Sequence, residues 1–124
     1  MTIQECYDEI GGDYAEVLHR LMTPNLVKKF IAKFLDDGSY QHLCDFTAAR
    51  DRGEAFRAAH TLKGVCQNLG LGDLSRSSGK ITELLRAETE EFPEEAVLML
   101  EDVKRDYEKT TLAIRRFLTS ETEK

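Results

Sequence analysis

Apolar residues in this 124-residue chain recur at spacings of three and four, and no stretch alternates apolar with polar over the length of a strand. Leu26, Val27, Phe30, Ile31, Phe34 and Leu35 form one such run, and Leu74, Ile81, Leu84 and Leu85 another. That period matches the helical repeat of about 3.6 residues and conflicts with the two-residue repeat of a strand. The punctuation between the runs is helical too. Thr2 followed by Glu5 predicts a capping box for a short first helix that ends near Gly11-Gly12. Asp13 predicts a second cap, for a segment through about Met22. Thr23-Pro24 pairs a capping threonine with a proline at the first helical position.

Further along, Asp37-Gly38 is a stop or a kink, and the spacing leaves open whether 24–51 is one bent helix or two. Beyond it Tyr40, Leu43, Cys44, Phe46 and Thr47 resume a helical stripe. Asp51 with Glu54 resembles another capping box, and the helix it opens should run to about Leu69. Gly70 then fits the left-handed position that follows a helix end. A helix over about 73–88 comes next, followed by an acidic linker, Thr89 to Phe92. Pro93, taken as a first helical position, opens the last helix, 93–119, with Val97, Leu100, Val103, Tyr107, Thr110 or Thr111, Ile114 and Leu118 inward.

The expected fold is therefore all-α: an antiparallel four-helix bundle with short extra N-terminal helices. The length fits one domain over 1–124. Within it the short helices take 1–22, the bundle 23–119, and a frayed tail 120–124. Met1 and the acidic tail suggest a whole protein.

Composition narrows the function. A net charge of −6 argues against a nucleic-acid partner, which would call for a basic stripe. No apolar run reaches the length of a membrane span, and the acidic start MTIQECYDEI has no signal-peptide core. Three cysteines without paired spacing suit reduced thiols in a cytoplasmic protein. Cys44 and Cys66 read as small buried hydrophobes, and Cys6 as a position that could be exposed.

One helix carries the chemistry. At roughly 100° per residue, Ala55, Ala58, Ala59, Leu62, Val65, Cys66 and Leu69 gather into one apolar sector. His60 points nearly opposite, with Gly64 one turn on, Lys63 beside it, and Arg57 and Gln67 on the same outer half. An ordinary surface histidine would satisfy that phase equally well. Gly64 tips the reading, because a helix-interior glycine costs about 1 kcal/mol relative to alanine. It clears space beside the imidazole. A neutral imidazole is a good nucleophile near neutral pH. The Lys63 charge would disfavour its protonation and attract phosphoryl oxygens. Gln67, on the next turn, could orient the ring or contact phosphate. This set suits reversible histidine phosphorylation.

The segment from Ala59 to Gly70, AHTLKGVCQNLG, resembles the signature of histidine-containing phosphotransfer (HPt) domains. Those domains pair a histidine with a following leucine, lysine and glycine, and have an asparagine-leucine-glycine near the helix end. Phe34 to Asp37 and Arg52 to Phe56 resemble the family's flanking segments, so the likeness spans about residues 12–118. It implies a helical bundle that relays phosphate between receiver-domain aspartates. His60 would be phosphorylated on the ring nitrogen farther from the backbone, Lys63 would neutralise phosphate charge, and Gly64 would give access. Gln67 falls where the family is often polar.

The resemblance also implies a phosphocarrier with no kinase or ATP site and no cofactor of its own. The partner would be the receiver domain of a response regulator or hybrid sensor kinase, which brings Mg2+. A monomer is expected. Lys29, Lys33 and Arg57 are candidates for a basic rim facing an acidic receiver; the plain alternative is a solvated helix face. The alternative function is an HPt-like docking scaffold that binds a receiver without being phosphorylated. A metal-binding bundle built on His19, His42 and His60 lacks the Glu-x-x-His pattern and any metal-ligand spacing. A hydrolase lacks a suggested Ser/His/Asp set.

Overall fold

Four of the polar residues expected to start helices do so in the computed structural model, which describes residues 1–86 and 91–122. Among the described residues are seven α-helices and no strand. They are α1 (Ile3–Glu9), α2 (Tyr14–Leu21), α3 (Pro24–Phe34), α4 (Ser39–Ala48), α5 (Arg52–Leu69), α6 (Gly72–Leu85) and α7 (Glu95–Thr122). The Thr2 hydroxyl accepts from the Glu5 amide at 3.1 Å while the Glu5 carboxylate accepts from the Thr2 amide at 2.9 Å, closing the capping box. Asp13, Thr23 and Asp51 accept from the amides of Glu16, Leu26 and Glu54 at 3.1, 3.2 and 3.1 Å. Each bond satisfies an amide that the first helical turn leaves without a partner.

The question left open at Asp37-Gly38 resolves as a break. The chain turns after Phe34, and α4 begins afresh at Ser39, whose amide donates to the Asp37 carboxylate at 2.9 Å. Helices α4, α5, α6 and α7 each pack against the next, and α4 also meets α7. The α4–α5 and α5–α6 connections are short, so those neighbours reverse direction. Helix α3 lies against α2, α5 and α7, while α1 packs on α7 and α2.

The core between them is apolar: Val27, Ile31, Phe34, Leu43, Leu62, Leu74, Ile81, Leu85, Val103, Ile114 and Phe117 are all buried. The short helices close the end where α5 stops. Tyr7 is fully buried there, and its hydroxyl donates to the Leu69 carbonyl at 2.7 Å.

The last helix departs from expectation in three ways. It starts at Glu95, not at Pro93; proline instead sits in the preceding turn, its carbonyl accepting from the Ala96 amide at 2.9 Å. It also runs past 119 to Thr122. Lys28 pairs with Glu121 at 2.9 Å and the Ser120 hydroxyl donates to the Met1 carbonyl at 3.2 Å, so tertiary contacts hold a turn expected to fray. Third, its buried residues are Ala96, Val103, Asp106, Thr110, Thr111, Ala113, Ile114 and Phe117. The expected stripe is rotated by about one position, with Val97, Leu100, Tyr107 and Leu118 only half-buried. A helix contacting α1, α3, α4 and α6 buries a wider arc than one stripe supplies.

Smaller differences are local. Leu84 and Cys44 are half-buried rather than inward, and Cys6, to which the sequence assigned no place, is fully buried. The expected end of the 73–88 helix and the first half of the acidic linker lie outside the described residues, as do 123 and 124.

Candidate functional site

Helix α5 presents its two faces as the periodicity requires. Ala55, Ala58, Ala59, Leu62, Cys66 and Leu69 are buried, and Val65 is half-buried. His60 and Gln67 lie exposed on the opposite side, with Lys63 and Gly64 half-buried between. A Cβ built on Gly64 would meet nothing within 4 Å. The protein therefore has no steric need for glycine here, and the clearance faces outward.

Lys63 leans toward α6. Its Cδ and Cε lie 3.9 Å from the place a Cβ on Gly79 would take, so the stem runs along that helix. No carboxylate pairs with its ammonium among the described residues. Most of the arginines, by contrast, are spent on ion pairs: Arg20 with Glu16, Arg50 with Glu94, Arg86 with Glu83, Arg105 with Asp102. An unpaired cation near an exposed imidazole is free to meet an incoming anion.

Cys66, the other nucleophile on α5, faces the opposite way. Burial, with Asp37 adding, pushes its thiol far above the ordinary range, which keeps it inert.

Two residues beside the histidine were not foreseen as part of the site. Phe56, one turn before His60, stacks on the imidazole with ring centroids 5.8 Å apart and planes within 10°. The Arg86 guanidinium, at the end of α6, lies 5.1 Å from the centre of the Phe56 ring. The i, i+4 spacing of Phe56 and His60 was the available signal, since such pairs are neighbours on a helix surface. Arg86 carried none, because its approach depends on how α6 packs.

The C-terminal end of α5 is tied down. Arg20 donates to the carbonyls of Gln67 and Asn68 at 2.8 and 2.6 Å, and Tyr7 takes the Leu69 carbonyl. Gln67 thus has its backbone clamped by α2 while its side chain stays exposed two turns from His60. Gly70 follows in the left-handed conformation at φ 65°.

The expected basic rim is only partly brought together. Lys33 lines a groove of about 380 Å³ between α2, α3 and α5, with Phe30, Phe34, Val65 and Asn68. Lys29 is exposed on the same helix α3. Arg57 is exposed but engaged by Glu54 one turn back. His19 and His42 are exposed on α2 and α4, and no group of three or more metal-ligating side chains occurs among the described residues.

A protein-family model, described as Hpt domain, matches residues 13–110. Neither a curated protein nor a solved structure gives a significant match to the chain.

Proposed function

The chain belongs to the Hpt domain family, and from that premise we propose that His60 is the residue through which it relays phosphate. The family acts in phosphorelays, where Hpt domains interact with receiver domains. One observation carries the assignment to this residue: His60 is exposed beside a glycine whose outer side is empty and a lysine with no carboxylate on it.

The chemistry follows from that arrangement. A docked receiver presents an aspartyl phosphate. The lone pair of the outer imidazole nitrogen attacks phosphorus as the bond to the aspartyl oxygen breaks, and the carboxylate leaves. The imidazole proton stays on the other ring nitrogen until solvent takes it. Such transfer relies on positioning and charge stabilisation more than on covalent help. Lys63 supplies a cation to the phosphoryl oxygens. Gly64 leaves room for the phosphoryl group and the receiver's loops. Gln67, two turns along the helix from His60, contacts the phosphate or the imidazole with its exposed side chain. The receiver brings its own acidic pocket with Mg2+. Because phosphohistidine and aspartyl phosphate are both labile, the step runs in either direction.

Docking would use the exposed face of α5, with Lys29 and Lys33 on α3 facing the receiver's acidic rim and the chain acting as a monomer in a cytoplasmic relay. The test is a transfer assay. A receiver carrying labelled aspartyl phosphate is mixed with the protein, and the label is followed with time. The parent should take up to one phosphate per chain in acid-labile form, and His60→Gln none. Equal labelling of His60→Gln would sink the assignment. Stable binding of the receiver without label uptake would favour the scaffold reading instead.

A further inference from the structure

A relay histidine needs its ring held in one orientation. The imidazole sits on an exposed helix face, and no hydrogen bond ties either ring nitrogen among the described residues. Unrestrained on a helix, it would spread over two staggered χ1 wells and a broad χ2. An in-line transfer uses only a narrow part of that range.

We propose that Phe56 is the positioning residue for His60, and that Arg86 holds Phe56 in place. The inference rests on the relay reading above. Phe56 lies half-buried against the core, which limits its own freedom. Its face is nearly parallel to the imidazole, planes within 10° and centroids 5.8 Å apart, an offset stack of the kind aromatic rings prefer. Arg86 lies against the same ring at 5.1 Å, where a guanidinium is attracted by the π-face. Arg86 is itself paired: its guanidinium donates to both Glu83 carboxylate oxygens, at 3.3 and 3.1 Å. A bond from Arg52 at the start of α5 to the Leu85 carbonyl, 2.8 Å, keeps the two helix ends together.

The order of contacts runs from Glu83 through Arg86 and Phe56 to the imidazole. Each link removes freedom from the next. Stacking occupies one face of the ring and leaves its edge unobstructed, so the nucleophilic nitrogen stays open to the receiver. Phe56 approaches from the turn before His60 and Gly64 leaves the turn after it empty. The imidazole is thus supported on one side and accessible from the other.

The test separates a flat ring from mere apolar volume. Phe56→Leu keeps bulk, and Phe56→Tyr keeps the ring. With a phosphorylated receiver as donor under single-turnover conditions, Phe56→Leu should transfer roughly three- to tenfold more slowly, the loss expected when a side chain is released among several rotamers. Phe56→Tyr should restore the parental rate. In proton NMR, the His60 ring protons should carry a ring-current shift, its sign differing with their position over the offset ring, in the parent and in Phe56→Tyr, and lose it in Phe56→Leu. Circular dichroism melting checks that all three are folded. A parental rate in Phe56→Leu, with His60 still the labelled residue, would overturn this inference and leave the relay standing. So would equal slowing in Phe56→Leu and Phe56→Tyr, or an unshifted His60 spectrum in the parent. A parent that takes no label at His60 would overturn both.

Discussion

Two glycine environments on and beside α5 differ in every respect. At Gly64, an added Cβ meets open space. At the end of the same helix, a Cβ on Gly70 would overlap Val17, one on Gly12 the Gly70 carbonyl, and one on Gly72 the Gly11 carbonyl. Hydrogen bonds from Tyr7 and Arg20 seal that junction, whereas none constrains the histidine. The first glycine leaves room for a visitor; the others let the chain pass itself at backbone distance. Close backbone packing seals one end of the helix, and access is left on its middle turns. Such division is expected, because a docking face must keep its polar groups uncommitted while a helix end must satisfy them.

The largest effect is expected at the closed junction. Gly72→Ala or Gly12→Ala forces backbone against a new methyl and should cost about 3 kcal/mol, the upper part of the usual range for overpacking, read as a clear fall in Tm. A melting temperature within a degree of the parent would show that the junction is looser than its geometry. Tyr7→Phe comes next. It leaves the buried Leu69 carbonyl without its donor and should cost about 1–2 kcal/mol in denaturant unfolding; an unchanged midpoint would mean that water replaces the hydroxyl.

Gly64→Ala should act in the opposite direction on stability, adding about 0.5–1 kcal/mol because alanine is the better helix former and fits the space. The same variant should accept phosphate more slowly from a receiver yet nearly as fast from phosphoramidate, since only the large donor needs the clearance. Destabilisation by Gly64→Ala, or equal slowing with both donors, would contradict an outward role.

The smallest effect concerns Asp73, which ties α6 to Lys109 of α7 and to Arg76. Burial works to raise its pKa, but the hydrogen bonds from Lys109 and Arg76 outweigh it and hold the carboxyl below the ordinary range. A depressed folded pKa contributes stability that is present above the unfolded value and is lost as pH falls through the folded one. For this partly exposed group the contribution should be under about 1 kcal/mol and fade below about pH 4. Asp73→Asn should therefore unfold more easily than the parent at pH 7 and lose that difference near pH 2. A constant gap across that range would assign the effect to packing.

Much of the fold was legible because its signals are local. Thr2, Asp13, Thr23 and Asp51 each bond an amide three residues on, and Gly70 takes the left-handed position. The exposure of His60 followed from phase alone, since an 18-residue helix with a well-defined apolar sector has one possible outer face. The break after Phe34 was visible at Asp37-Gly38 but not its outcome, because a kinked helix and two helices use the same local residues. Pro93 was misplaced for a related reason: proline suits a first helical position and the turn before it.

What the amino-acid order determined by itself is the helical content, most of the helix starts, and a histidine set outward beside a gap and a cation; each depends on residues within about a turn of one another. The rest arises from packing between segments. The rotated inner face and extra turn of α7, the burial of Cys6, and the passage of Gly12 and Gly72 against neighbouring backbone depend on segments far apart in the chain. So does the placing of Arg86 on Phe56, because an orientation between α5 and α6 comes from how two surfaces fill space together and leaves no trace in the spacing of either one.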